Sequence, residues 1–173
     1  NGALTKNVKM TPEIKEMIEE ISKYIANSPI NDNINVYRGE TSYWIFGNKE
    51  ISNGVLLREE IIKYETCNKE AREAFITDVL MDIDFEYPRF LSTAFDINDA
   101  EVRAEKILWH LDVPQNTKGT MIESYNIERE SESEFLIQRN SELSILDVIF
   151  NEEKKRWEIF ARVLQRVPLT PLE

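Results

Sequence analysis

Beyond residue 87 the chain is written almost wholly in strand patterns, and helical periodicity is confined to what precedes it. Ile107 to Val113 alternates residue by residue, with Ile107, Trp109, Leu111 and Val113 inward and Leu108, His110 and Asp112 outward. Phe135 to Ile137, Leu143 to Phe150 and Trp157 to Val167 are predicted strands, with a hairpin turn at Asn151-Glu152-Glu153. Tyr87 to Phe95 reads as one more, rich in aromatic and β-branched residues. Met121 and Ile122 start another that dissolves into Glu123 to Ser133. Helices first and strands afterwards is an α+β order, not the alternation of a parallel sheet.

The helical part opens at Thr11-Pro12-Glu13: a capping hydroxyl, a proline in the first turn and an acid at the positive end. Ile14, Met17, Ile18, Ile21 and Ile25 repeat at helical spacing until Ser28-Pro29. Ile34 and Val36 form a short strand that runs into Arg38-Gly39-Glu40. Two more helices are predicted over 55–66, with Leu57, Ile61 and Tyr64 inward, and over 69–82, with Ala71, Phe75 and Val79 inward. A short helix is expected from Asp99 to Lys106.

The 173 residues, 42% hydrophobic, suffice for one domain spanning 1–173. A net charge of −11 with no Lys/Arg cluster argues against nucleic acid and favours a basic partner surface or a small ligand. A single cysteine, Cys67, excludes an internal disulfide, and a single histidine, His110, excludes a His-rich metal site. No apolar run approaches the roughly 18 residues of a membrane span. A start at Asn1-Gly2-Ala3 rather than Met is the expectation for a domain excised from a longer chain.

Three stretches carry chemistry. Arg38 ends an apolar strand and is followed by Gly39, so a ligand can approach the backbone and a guanidinium can grip phosphate. Ser92 and Thr93 put two hydroxyls into an apolar frame, where each needs a partner. In Ser131-Glu132-Ser133-Glu134-Phe135-Leu136-Ile137, Glu132 and Glu134 leave one face of a strand, roughly 7 Å apart at about 3.3 Å per residue. Each has a plainer reading: a surface arginine, hydroxyls on strand carbonyls, a solvated acidic turn. The aromatics Tyr43, Trp44 and Phe46 make either a minor core or a stacking wall.

Taken in order, Val36-Tyr37-Arg38-Gly39, Phe90-Leu91-Ser92-Thr93-Ala94 and Glu132-Ser133-Glu134-Phe135-Leu136 resemble the Arg-Ser-Glu class of mono-ADP-ribosyltransferase toxins. The likeness is to binary actin-modifying toxins and Rho-modifying exoenzymes, and it covers most of residues 34–167. Tyr87-Pro88 before the second motif and Leu111-Asp112-Val113-Pro114 leading to Gly119 agree with it. The resemblance implies N-terminal helices packed on a two-sheet mixed, mainly antiparallel β-core of the ADP-ribosyltransferase type. It implies NAD as substrate, no metal, and an acceptor residue on a target protein such as actin or a small GTPase. It also implies a monomer secreted from a bacterium and acting in the target-cell cytoplasm.

By the same resemblance Arg38 contacts the NAD phosphates and the Gly39 backbone meets the nicotinamide carboxamide. Ser92 orients Glu134, Glu134 binds the nicotinamide ribose, and Thr93 shares the cofactor-binding motif. Phe46, Arg89 and Lys106 fall where the family has further NAD contacts. Family members with Glu at the first acidic position modify arginine and those with Gln modify asparagine or glutamine, so Glu132 implies arginine. The chain departs from the pattern at Ala94, where a third hydroxyl is usual. It departs again at Arg129, where an aromatic often stands, with Tyr125 nearby, in the loop that meets the protein substrate. Rival readings are a glycoside hydrolase using Glu132 and Glu134, whose i, i+2 spacing suits that chemistry poorly, and a non-catalytic or NAD-hydrolysing member of the same scaffold.

Overall fold

The computed structural model describes residues 10–125 and 131–165; the side chains of residues 124, 125, 131 and 132 are outside that description. Among the described residues there are four helices: α1 (Pro12–Ala26), α2 (Leu57–Glu60), α3 (Lys69–Asp78) and α4 (Ile97–Glu101). The strands are β1 (Ile34–Glu40), β2 (Glu50–Ser52), β3 (Val55–Leu56), β4 (Asp84–Tyr87), β5 (Leu91–Ala94), β6 (Ile107–Val113), β7 (Gly119–Tyr125), β8 (Ser131–Ile137), β9 (Ser141–Asn151) and β10 (Arg156–Leu164). Eight strands form one mixed sheet in the order β4-β9-β10-β6-β1-β5-β8-β7, and β2-β3 make a separate hairpin. Among the described strands of this sheet only β6 and β10 run parallel; the other ladders are antiparallel. The α+β expectation holds.

The sheet is barely continuous at its middle. β1 pairs with β6 over its whole length and β5 pairs with β8 along all four residues, yet β1 and β5 share only Tyr37↔Ala94. Two sub-sheets therefore meet at a seam. The main core surrounds Trp109 and Trp157, both fully buried, and takes in Leu91, Phe135 and Ile137 from the smaller sub-sheet. A smaller cluster of Ile18, Ile25 and Phe90, joined by Leu136, fastens α1 to that sub-sheet.

Helix α1 starts as expected, with Thr11 Oγ1 accepting from Ile14 N at 3.2 Å. Its buried stripe is Ile18, Ser22 and Ile25, while Met17 and Ile21 face outward. The reason is polar. Ser22 is held by Arg139 Nε on its hydroxyl at 2.8 Å and by Gln138 Nε2 on its carbonyl at 2.7 Å. That anchorage turns the serine, not Ile21, into the sheet.

Other elements are corrected in detail. Tyr87 to Phe95 is not one strand: β4 pairs with β9 at one sheet edge and β5 with β1 and β8, and Pro88, which lacks an N–H, stands between them. The segment 55–66 begins with β3 and continues as α2 tightening into a 3-10 turn, Ile61–Tyr64. Helix α3 stops at Asp78 and buries Arg72 with Phe75, because Arg72 caps the Tyr64 and Glu65 carbonyls. Helix α4 starts earlier than expected, capped by Asp96, whose carboxylate accepts from Asn98 N at 2.9 Å. Leu108, expected outward, is fully buried under Ala100 and Ala104. Strand β7 extends to Tyr125 rather than fading after Ile122. At its start Gly119 makes room for the Phe135 ring, which a Cβ there would meet at 2.3 Å.

Candidate active site

The seam sets the site. One residue past its single registered pair, Arg38 reaches across and donates Nη1 to the Ser92 carbonyl at 2.8 Å. Its Nε donates to Glu40 Oε1 at 2.5 Å, and Nη2 lies 3.4 Å from the Tyr87 hydroxyl. A guanidinium has five N–H groups, so this fixes its plane and leaves two N–H without a partner among the described residues. Burial pushes Arg38 toward neutrality, but Glu40 and Tyr87 outweigh that and hold its pKa above the ordinary arginine value.

Ser92 serves twice. Its carbonyl holds Arg38, and its Oγ donates to Glu134 Oε2 at 3.1 Å. Thr93, one residue on, points to the opposite face. It is 3% exposed and its hydroxyl donates to the Phe135 carbonyl at 2.7 Å. Adjacent strand residues alternate faces, so only one of the two hydroxyls is presented to the Glu134 carboxylate.

Arg38, Gly39, Ser92 and Glu134 line one cleft, bordered by Thr93 and by Asp99, Ala100 and Arg103 of α4 and the turn after it. Gly39 has a packing reason to lack a side chain: a Cβ would stand 2.2 Å from the Ala100 carbonyl oxygen. Arg89 lies behind Arg38, its guanidinium 4.7 Å from the Tyr87 ring that Arg38 approaches from 5.7 Å. Its Nε is buried without a partner among the described residues, and burial lowers its pKa. Two cations around one tyrosine, one with an orphaned donor, suit a diphosphate.

The structure thus brings Arg38, Gly39, Ser92 and Glu134 together, with Arg89 adjacent. It puts two sequence-derived candidates elsewhere. Phe46 is buried in the core, edge-on to Phe85 and Trp109, because its 3-10 turn faces inward. Lys106 pairs with Glu65 at 2.9 Å and borders a separate groove beside the exposed Trp44. Glu132 stands in β8 opposite Ser124; its side chain, that of Tyr125, and Arg129 lie outside the described residues. Glu40, Tyr87 and Arg103 were missed. For Glu40 a signal existed: an acid two residues from Arg38 on the same strand.

A family model described as ADP-ribosyltransferase exoenzyme matches residues 1–166. The chain belongs to that family. Its enzyme class, an ADP-ribosyltransferase of toxin type, follows from the membership. Among solved structures it is similar to the C3larvin toxin of Paenibacillus larvae, with a TM-score of 0.67 and 21% identity over 95% of this chain and 80% of that one. C3stau2 from S. aureus, solved with NAD, gives a TM-score of 0.67 and 20% identity over 91% of this chain and 74% of that one. The binary enterotoxin component BECa of C. perfringens, solved with NADH, gives 0.61 and 19% over 93% and 36%. At these identities the likeness speaks for the fold. No curated protein sequence matches the chain. NAD as substrate fits the cations and the carboxylate gathered in the cleft.

Proposed function

We propose that this domain moves ADP-ribose from NAD to an arginine side chain of a target protein and releases nicotinamide. The observation that carries the reading is the hydrogen bond from Ser92 to Glu134 in the cleft where Arg38 is pinned. Arg38, with Arg89 behind it, binds the diphosphate, and the Gly39 backbone meets the nicotinamide amide. As the bond between nicotinamide nitrogen and ribose C1′ breaks, nicotinamide leaves with the electron pair and positive charge grows on the ribose. The Glu134 carboxylate stabilises that charge more in the transition state than in the ground state. A guanidine nitrogen of the acceptor then bonds to C1′ and gives up a proton. Glu132 takes it, since a protonated guanidinium is a poor nucleophile.

The net charge of −11 supports a target with a basic face around its arginine. Actin and small GTPases are the target classes in view, reached in the cytoplasm of another cell after secretion. The test is mass spectrometry of a cell lysate incubated with the protein and NAD, beside nicotinamide release. Glu134→Gln lowers both release and transfer by about 100-fold or more. Glu132→Gln suppresses transfer to arginine while part of the NAD hydrolysis survives. Normal turnover by Glu134→Gln, or labelling confined to residues other than arginine, refutes the assignment.

A further inference from the structure

Strand β7 is the outermost strand of the sheet, and on it Ile122 stands directly opposite Glu134. Directly paired residues of an antiparallel ladder present their side chains on one face, with Cβ atoms about 4.5–5.5 Å apart. On its other side Glu134 is paired with Ala94 of β5. Glu134 is therefore the middle member of a row, Ala94–Glu134–Ile122, with an apolar neighbour on each flank. The two flanks are not equivalent. Ala94 belongs to the cleft that holds Arg38 and Gly39. Ile122 is not among the residues lining that cleft, is 38% exposed, and has no strand beyond it among the described residues. Glu134 thus divides a cationic nucleotide cleft from an apolar ledge open to an incoming molecule.

A branched aliphatic on an open edge is unlike the charges that usually protect one. We infer that Ile122 is the ledge on which the methylene stem of the acceptor arginine lies while its guanidinium reaches the carboxylates, making Ile122 a specificity-determining residue for transfer. The inference rests on the arginine reading above. An arginine side chain has the matching build, an apolar stem that beds on apolar surface and a charged head that projects beyond it. Water and free guanidine have no stem and gain nothing from the ledge.

The experiment compares acceptors. Wild type, Ile122→Ser and Ile122→Leu are assayed with NAD and either agmatine, which carries a four-carbon stem, or guanidine, which carries none; NAD hydrolysis is followed in parallel. The expected result is that Ile122→Ser lowers kcat/KM for agmatine about tenfold more than for guanidine. Its ratio of transfer to hydrolysis drops in step, and Ile122→Leu restores most of the preference. Equal losses with agmatine, guanidine and water mean a merely structural role and overturn the proposal, as does an unchanged agmatine-to-guanidine ratio. If wild type hydrolyses NAD but labels neither guanidine compound, the arginine reading itself fails and takes this inference with it.

Discussion

Replacing Ser92 by alanine isolates the one hydroxyl that orients Glu134. Arg38 is held by the Ser92 backbone carbonyl, which alanine keeps, so the substitution removes only the 3.1 Å bond from Oγ to Glu134 Oε2. A hydrogen bond to a charged group is worth about 1.5–3 kcal/mol. If that stabilisation is expressed in the transition state, nicotinamide release slows about 10- to 150-fold, at about 1.4 kcal/mol per decade. Thr93 next door supplies the control, because its hydroxyl is spent on the Phe135 carbonyl inside the core. Thr93→Val leaves that carbonyl short of a donor, at a cost of about 1–3 kcal/mol of stability. The assay pairs nicotinamide release at saturating NAD with thermal unfolding. Ser92→Ala loses turnover with Tm within about 2 °C of wild type, whereas Thr93→Val loses several degrees and keeps turnover. A Ser92→Ala variant that turned over NAD normally, or a Thr93→Val variant that lost activity in proportion, would refute the division of labour between the two hydroxyls.

Arg38→Lys cannot reproduce donors sent separately to Glu40, Ser92 and Tyr87, so NAD affinity falls at least about tenfold and Tm falls with it, read by NAD titration of tryptophan fluorescence and by melting. Gly39→Ala drives a Cβ against backbone, the Ala100 carbonyl oxygen at 2.2 Å, and costs about 1–3 kcal/mol or more in urea unfolding as α4 is pushed off β1. Glu158 gives an acid-side signature. Burial raises its pKa, but the Asn151 amide at 3.0 Å, His110 at 3.1 Å and the charge of Arg156 more than reverse this and hold it below the ordinary glutamate value. A depressed carboxylate contributes stability above its unfolded pKa and loses it as pH falls through the folded one. Glu158→Gln therefore flattens the decline of Tm on the acid side, and an unchanged pH profile would show that the carboxylate contributes nothing.

Local signals were legible where they depend on neighbours in sequence. The Thr11 cap and the inward set Ile107, Trp109, Leu111 and Val113 each follow from one stretch of chain. What escaped is decided by partners far along it. Ser22 displaces Ile21 from the buried face of α1 because Gln138 and Arg139 come to meet it. Leu108 is inside because α4 lies across the outer face of β6. Phe46 illustrates the same limit at the site. An aromatic in an irregular loop is compatible with core or ligand wall, and only the facing Phe85 and Trp109 decide for the core. Lys106 likewise has the charge for a phosphate contact but spends it on Glu65.

The placement of Arg38 can be traced to the weakness of one strand pairing. Had β1 and β5 formed a full ladder, the Ser92 carbonyl would accept from a backbone N–H and no gap would open between the sub-sheets. With Tyr37↔Ala94 as the single registered pair, that carbonyl needs another donor, since a half-buried backbone oxygen left without one is costly. Arg38 supplies it, and doing so holds the guanidinium across the seam rather than out in solvent. The residue that follows must then admit α4 against the strand, which only glycine does. The separation that opens the cleft therefore also creates the acceptor that positions the arginine within it. A substitution that knitted β1 to β5 would be expected to abolish NAD binding even if it stabilised the sheet.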